Sequence, residues 1–188
     1  MAFNFSQCQS LILQGILEGL RLRANKIAEI AADEKIPNVE FPIDGVSLDL
    51  VPWHGGLGVS LRLRSEHEPD IRYCNVEWTY FDLVSHHNCP GLQRAADFVQ
   101  KAYTSENSNS IAREMAHLIF LAGAEALLDH RVALLLMELG INAPTYHDSF
   151  LSREFEYMVF DFDGTVPGNY CELVLANRVT AKWWPRLI

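Results

Sequence analysis

Residue types suited to holding a metal ion are concentrated in a short stretch after a predicted strand. His86, His87 and Cys89 place three potential zinc ligands within four residues. The two histidines are adjacent, however, and no second Cys/His pair lies nearby in the sequence. His67 or His147 would have to complete a site in space. We interpret residues 86–89, the His/Cys loop, as an ordinary loop and keep a zinc site built on it as the alternative.

A second set of candidate ligands follows one predicted helix. Glu114, His117, Glu125 and Asp129 fall roughly on one face of a long apolar segment. Inward-facing carboxylates and histidines hold metal ions in helical bundles, where two helices each supply a Glu-x-x-His pair. In this chain the spacing occurs once, as Glu114 with His117. The pattern favours the solvent-facing edge of an otherwise buried helix.

Two aspartates near the C-terminus, Asp161 and Asp163, form the sharpest motif. Residues 158–166 read Met-Val-Phe-Asp-Phe-Asp-Gly-Thr-Val and resemble the first motif of the haloacid-dehalogenase-like phosphohydrolases. The resemblance implies that the first aspartate attacks phosphorus, that the second acts as acid and base, and that Mg²⁺ lies between them.

The sequence around these aspartates departs from that family. The family places its motif on the first strand, followed by a helix and a long run with a lysine and further carboxylates. Here 25 residues follow Asp163, their pattern predicts a strand, and Lys182 is their one lysine. Carboxylates without a metal ion and a cation repel each other rather than transfer phosphate. We interpret Asp163-Gly164 as a β-turn, and a metal-dependent hydrolase using Asp161 and Asp163 or the His/Cys loop is the alternative function.

Charge patterning indicates the kind of partner that the surface would attract. The chain holds 15 Lys and Arg against 24 Asp and Glu, a formal charge of -9. Because the basic residues do not cluster, this balance opposes binding to nucleic acid and to anionic membrane surfaces. Residues 36–89 hold eight acids against three arginines, so a charge-driven partner of this segment is expected to be basic.

Acidic and aromatic residues of this segment and of the C-terminal turn are the candidate binding residues. Trp and Tyr are enriched at protein interfaces, although they are also common in strands. An acidic sheet surface with interspersed aromatics would combine charge steering with large anchor side chains. The predicted partner-binding residues are Asp49, Trp53, Glu77, Trp78, Asp82, Asp161 and Asp163.

The cysteines and the apolar segments indicate the compartment. The four cysteines, at positions 8, 74, 89 and 171, lie far apart, and the N-terminus lacks the basic region and apolar run of a signal peptide. The longest apolar stretch, residues 118–128, contains Glu125 and is shorter than the ~20 residues that a membrane span needs. We expect free thiols, a cytoplasmic location and no membrane-spanning helix.

The first part of the chain predicts one long helix and then a hairpin. Ser6 and Gln9 have the spacing of a capping box, and apolar residues recur at three- and four-residue steps up to about Glu34. Residues 46–51 and 59–64 alternate between apolar and polar side chains around a Gly-rich turn. This alternation predicts a half-exposed antiparallel hairpin.

The remaining elements are predicted from apolar periodicity and from helix stop signals. A third strand is expected at 71–84 and a short helix at 90–103. Residues 111–139 predict a long, mostly buried helix, because apolar residues occupy nearly every face of it. Two final runs, 155–162 and 170–179, predict a second hairpin.

This order of elements indicates an α+β fold rather than the strand-helix alternation of a parallel sheet. We expect a long N-terminal helix, a mostly antiparallel sheet of about five strands and a buried central helix, in one domain of residues 1–188. The apolar central helix would also suit the interface of a homo-oligomer.

The whole chain resembles the small bacterial α+β proteins grouped with toxin-immunity proteins and with the cell-wall-synthesis-regulator-like superfamily. The residues that carry this resemblance are the Glu77-Trp78 pair, after a long N-terminal helix, and the acidic strand 160–163. The resemblance implies a non-catalytic protein that neutralises a toxin domain in the cytoplasm. We therefore predict a protein-binding module, immunity-like or regulatory, that takes a basic protein partner and needs no cofactor or metal ion.

Overall fold

The computed structural model describes residues 3–33, 42–66, 78–104, 109–144, 155–161 and 168–183. These residues form an α+β fold, as predicted. The helices are α1 (Phe5–Leu22), α2 (Ala24–Asp33), α3 (Pro90–Thr104), α4 (Asn109–Leu127), α5 (His130–Glu138) and α6 (Tyr170–Trp183). The strands are β1 (Ile43–Val51), β2 (Gly56–Leu63), β3 (Tyr80–Ser85) and β4 (Glu156–Met158), and a short 3-10 helix follows β2 at Arg64–Glu66.

The strands form one mixed sheet in the order β3-β2-β1-β4. β1 pairs with β2 and β2 with β3 in antiparallel fashion, whereas β4 runs parallel to β1. The described sheet therefore has four strands rather than about five, and one of its pairings is parallel. Since β1, β3 and β4 run in one direction, their C-terminal ends lie at the same end of the sheet.

One face of the sheet is apolar and packs against helices. Leu48 and Leu50 of β1 contact α4 at Gly123, where a Cβ would lie 3.0 Å from both leucine side chains. α1 packs against α3 and α4, and its Gly19 meets Val84 of β3. All of these side chains are buried. The opposite side of the sheet, the outer face, carries the polar residues of β1 and β2.

The predicted N-terminal helix is two helices. Asn4 rather than Ser6 is the N-cap, because Asn4 Oδ1 accepts a hydrogen bond from the Gln7 amide at 3.0 Å. Arg23, at φ -102° and ψ 10°, separates α1 from α2. At this break Arg23 Nε donates to the Leu83 carbonyl oxygen at 3.0 Å, so the joint between the helices is tied to β3.

The predicted central helix is also two helices. α4 ends at Leu127, and Asp129 begins α5 by accepting a hydrogen bond from the Arg131 amide at 3.0 Å. The extended backbone of Asp129, at φ -67° and ψ 136°, interrupts the helix. Its side-chain hydrogen bond with Arg131 holds the pKa of Asp129 below the usual value. Among the described helices, none combines the length and the apolar character that a membrane span requires.

The predicted C-terminal hairpin is wrong. β4 is only three residues long, and residues 170–183 form α6 instead of a strand. Asn169 fixes the start of this helix, because its Oδ1 accepts hydrogen bonds from the Cys171 amide at 3.0 Å and from the Val159 amide at 3.1 Å. The buried residues Tyr170, Cys171 and Val174 then share one helical face.

The prediction of a half-exposed first hairpin is wrong as well. β1 is buried from Ile43 to Leu50, and β2 is buried from Leu57 to Leu63. Alternation of polar and apolar side chains shows that one face is polar, but a polar face does not have to meet solvent. The outer face lies on the side of the sheet away from the apolar core, yet its polar side chains are buried too.

Candidate functional site

The outer face carries polar side chains because the strand period turns them away from the apolar core. Ser47 of β1 lies directly opposite Ser60 of β2, and Gly45 lies opposite Arg62. The two serines and the arginine are fully buried. A buried polar group is stable only when it is hydrogen-bonded or paired. The hydrogen bonds of the outer face divide it into two clusters.

The first cluster surrounds a buried guanidinium. Arg62 Nε donates to Asp44 Oδ1 at 2.8 Å, and Arg62 Nη1 donates to Glu156 Oε2 at 2.9 Å. The Asp44 carbonyl oxygen accepts from Nη2 at 3.3 Å, and the centre of the Trp78 ring lies 5.8 Å from Arg62 Cζ. We call Asp44, Arg62, Trp78 and Glu156 the arginine cluster. Its cation joins β1, β2 and β4, so this cluster holds the sheet together.

The second cluster is built on a buried carboxylate. Asp49 Oδ1 accepts a hydrogen bond from the Ser47 hydroxyl at 2.9 Å, and Asp49 Oδ2 accepts one from the Ser60 hydroxyl. Ser60 Oγ in turn accepts a hydrogen bond from the Asp82 amide at 2.9 Å. We call Ser47, Asp49, Ser60 and Asp82 the acidic cluster. It connects the interior of the hairpin to an exposed residue on β3.

Asp82 has an unusual backbone and an unusual environment. In the part of the chain that the structure describes, it is the one residue other than glycine with a positive φ, of 49°. An irregular register between β2 and β3 forms a bulge here. The Asp82 carboxylate lies over Gly58, where a Cβ would overlap Asp82 Oδ1. Partial burial raises the pKa of Asp82, while the charges of His86 and His87 lower it.

The Asp82 side chain is accessible to a partner. The residue is exposed, and within the described ranges no hydrogen bond or ion pair reaches its carboxylate oxygens. Phe81 next to it is 38% exposed, one of few large apolar residues on the described surface. An exposed carboxylate beside an exposed aromatic ring suits a basic side chain with an apolar neighbour.

The position of β3 in the sheet affects which of its backbone groups are free. In the sheet that the described residues form, β3 is an edge strand, and edge strands offer free backbone groups to a strand from another chain. In this protein the bulge at Asp82 interrupts that edge, and Arg23 occupies the Leu83 carbonyl oxygen. Both features oppose the addition of a strand. Contact through side chains is the mode that this edge favours.

The His/Cys loop does not bring its three candidate ligands together. Cys89 is buried against α1, with its Sγ 3.9 Å from the Gly15 carbonyl oxygen. His86 faces β2 instead, where its Nδ1 lies 3.3 Å from the Leu57 amide nitrogen, and its ring centre is 3.8 Å from that of His87. Within the described residues, no three His, Cys, Asp or Glu side chains are arranged to hold a metal ion.

Asp161 follows β4, which ends at Met158, and is 9% exposed. Its charge and, above all, burial raise the pKa of Tyr170 to about 12. The Tyr170 hydroxyl lies 3.2 Å from His117 Nδ1, and its ring stacks on Phe120. Tyr170 therefore contacts one sequence candidate, His117, and lies close enough to another, Asp161, for the charge of Asp161 to affect its pKa. Asp163 lies outside the described residues.

The aspartate motif has a different context from the one predicted. The helix α6 follows β4, although the sequence pattern predicted a strand there. Among the described strands, β4 is nevertheless the last in chain order and lies at the edge of the sheet, whereas the haloacid-dehalogenase-like family places its motif on the first strand. The presence of a helix removes one of the differences from that family, whereas the position of the strand remains different.

The remaining predicted binding residues fall into three environments. Asp49 and Trp78 are buried on the outer face, as members of the acidic and the arginine cluster. Trp53 is half-buried in the turn between β1 and β2, with its ring centre 6.4 Å from that of Tyr103 on α3. Glu77 lies outside the described residues. Among the predicted binding residues that the structure describes, Asp82 is the one with an exposed carboxylate.

The sequence analysis did not predict that Ser60, Gly58 and Arg62 belong to the buried polar clusters of the outer face. The alternation in 59–64 predicts a polar face in contact with solvent, which gives its polar residues no role. One signal was present: Arg62 and Ser60 alternate within a strand whose hairpin partner carries Asp44 and Asp49. Cross-strand pairing of opposite charges is expected between such strands.

Comparisons with known proteins give no family for this chain. Neither the protein-family models, nor the curated proteins, nor the solved structures include a match to it.

Proposed function

We propose that this protein is a protein-binding module that takes a basic segment of a partner at the β3 edge, with Asp82 as the central contact. The observation that carries the proposal is the exposed Asp82 carboxylate, which is held in a left-handed bulge and has no ion pair among the described residues. A lysine or arginine of a partner would supply the missing cation. Phe81 would receive an apolar side chain next to it.

The conformation and burial of Asp82 support a role in binding rather than in folding. A left-handed backbone at a residue other than glycine is uncommon and is concentrated at functional sites. Burial raises the pKa of this carboxyl, so its ionised form is less favourable in the folded chain than in water. Neither property stabilises the fold, and both are consistent with a carboxylate kept ready for an external cation.

The surrounding charges support a basic partner. The chain has a formal charge of -9, which attracts cationic proteins over long distances and repels nucleic acid. A toxin domain in the cytoplasm is the partner class that the resemblance to immunity proteins suggests. The same edge would serve a regulatory module equally well, because the chemistry of the contact is the same.

The test uses a labelled peptide of lysine and serine with one central leucine, followed by fluorescence anisotropy at neutral pH. We expect Asp82→Asn to weaken binding by about tenfold, the effect of losing one close charge pair. Asp97→Asn is the matched control, since Asp97 is also an exposed aspartate but lies on α3. It should leave the affinity within about twofold, as expected for a distant surface charge.

A second pair of variants tests the apolar part of the contact. Phe81→Ser and Leu118→Ser remove large side chains that are both 38% exposed. We expect only Phe81→Ser to weaken binding of the peptide, because Leu118 lies on α4. Equal effects of Asp82→Asn and Asp97→Asn, or of the two serine variants, would show non-specific attraction and would overturn the proposal.

A further inference from the structure

The acidic cluster contains a directional chain of hydrogen bonds. The Ser60 hydroxyl has one proton, and it donates this proton to Asp49 Oδ2. In this contact the Asp49 carboxyl oxygen is the acceptor, so the Ser60 hydroxyl proton is already used. The lone pairs of Ser60 Oγ then accept the Asp82 amide proton, with a distance of 2.9 Å between the heavy atoms. The backbone of Asp82 is therefore tied to a buried aspartate through one serine.

This hydrogen bond holds the backbone of Asp82, which has a left-handed conformation. Asp82 has φ 49°, and the ladder to β2 is irregular between Val59 and Leu61. A residue in a bulge lacks its regular strand partner, so the hydrogen bond to Ser60 takes that place. Gly58 supplies the space over which the Asp82 carboxylate lies. The buried strands β1 and β2 thus determine where an exposed carboxylate on β3 points.

We propose that Asp49 and Ser60 are positioning residues that orient the Asp82 carboxylate for the binding of a basic partner group. This inference rests on the proposed function and assigns Asp49 a different role from direct contact. A partner at the β3 edge would not touch Asp49, which is buried. Its carboxylate acts through the Ser60 hydroxyl and the Asp82 amide.

The hairpin offers a matched pair of variants for the test. Ser47 and Ser60 are both fully buried, lie directly opposite each other and both donate to Asp49. Ser47→Ala and Ser60→Ala therefore each remove one buried hydroxyl and one donor to Asp49. Only Ser60 accepts the Asp82 amide. A difference between the two variants isolates the contact with Asp82 from the general effect of a lost buried hydroxyl.

The first measurement needs no partner. Hydrogen exchange followed by NMR reports the protection of the Asp82 amide in the folded, full-length protein. We expect protection in the original protein and in Ser47→Ala, and loss of protection in Ser60→Ala, because a hydrogen-bonded amide exchanges more slowly. Ser60→Thr keeps a hydroxyl on a residue suited to strands and should restore protection.

The second measurement is the affinity for the lysine-serine peptide with one central leucine. Ser60→Ala should weaken binding by about fivefold more than Ser47→Ala, as expected for one lost hydrogen bond. Ser60→Thr should recover most of that loss. An Asp82 amide that is equally protected in both alanine variants would overturn the inference, as would equal affinities of the two.

The two proposals fail in different ways. Asp82→Asn could leave peptide binding unchanged while Ser60→Ala still removes the protection of the Asp82 amide. The proposed function would then be wrong, and so would a positioning role in binding. If Asp82→Asn abolishes binding but Ser60→Ala behaves like Ser47→Ala, the proposed function stands and the inference alone is wrong.

Discussion

The arginine cluster and the acidic cluster share one face of one hairpin, yet they use charge in opposite ways. The arginine cluster encloses its cation, and Arg62 donates to two carboxylates and lies over an indole ring. The acidic cluster leads outward from buried Asp49 to exposed Asp82. The first therefore stabilises the sheet, while the second presents a charge at the surface.

The difference shows that burial of an acidic residue does not by itself indicate its role. Asp44 and Asp49 are both buried on β1. Asp44 pairs directly with the buried cation of Arg62. Asp49 binds two serines, and one of these contacts the backbone of an exposed residue. Substitutions in the two clusters should accordingly affect different measurements.

The largest expected effect is the loss of stability caused by a substitution of Arg62, the central residue of the arginine cluster. Arg62→Met removes the cation and leaves the carboxylates of Asp44 and Glu156 without it. Breaking a buried ion pair in this way costs about 3–5 kcal/mol. The free energy of unfolding, measured by denaturant titration with circular dichroism, should fall by that amount.

Arg94→Met is the control for this change. Arg94 pairs with Glu18 at 2.9 Å, but the two side chains are 57% and 41% exposed. A surface pair contributes about 0–1 kcal/mol. An equal loss of stability in Arg62→Met and Arg94→Met would contradict a structural role for the arginine cluster.

A smaller effect is expected from a methyl group added under each cluster. A Cβ at Gly45 would lie 2.7 Å from Met158 Cε and 3.3 Å from Arg62 Nε, and both side chains are buried. Overpacking of this kind costs about 1–3 kcal/mol. Gly45→Ala should therefore lower the free energy of unfolding by roughly that amount, without a separate effect on peptide binding.

Gly58→Ala is the corresponding change in the acidic cluster. Its methyl group would displace the carboxylate of Asp82, which is exposed and free to rotate towards solvent. We expect a loss of stability below about 1 kcal/mol together with weaker peptide binding. The comparison fails if Gly58→Ala destabilises the protein as much as Gly45→Ala and leaves binding intact.

The sequence predicted the elements whose signals are local. Residues 46–50 and 59–63 alternate strictly between apolar and polar side chains, and they lie in the two strands of the predicted hairpin. The arginine cluster was beyond such reasoning, because Glu156 is 94 residues from Arg62 along the chain. Burial of the outer face also depends on tertiary packing, which the alternation of side chains does not report.

The sequence contains a signal for the start of α6 that the prediction of a C-terminal strand does not use. Asn169 is followed three residues later by Glu172, the spacing that marks the start of a helix. The apolar character of residues 170–179 predicts a strand, although Tyr170, Cys171 and Val174 have helical spacing. The capping chemistry decided the outcome, since Asn169 accepts a hydrogen bond from the Cys171 amide.

The Asp82 site could be predicted only in part. The acidic character of residues 36–89 predicts Asp82 as a partner-binding residue, and the structure shows that this residue is exposed. The same reasoning treated Asp49 and Trp78 as surface residues, although both are buried. Charge and residue type are visible in the sequence, but the direction in which a strand residue points depends on the bulge and on the pairing of β3 with β2.

The smallest expected effect is the one that Asp82→Asn has on stability. Burial raises the pKa of Asp82 above the ordinary value of an aspartate, and His86 and His87 only partly offset this. A raised pKa in the folded state stabilises the protein below the pKa of the unfolded chain, and this contribution is lost as pH rises through the folded value. At neutral pH the ionised carboxylate therefore opposes folding slightly. Asparagine removes this charge and tolerates a left-handed backbone.

We therefore expect Asp82→Asn to unfold at the same or a slightly higher denaturant concentration than the original protein at neutral pH. Any gain should stay below about 1 kcal/mol and should disappear in acid, where the aspartate is itself uncharged. Denaturant titrations at neutral and acidic pH check this. A clear loss of stability at neutral pH would place the Asp82 carboxylate with the arginine cluster, as a group that the fold requires. A neutral or stabilising result, combined with weaker peptide binding, would separate the two clusters by function.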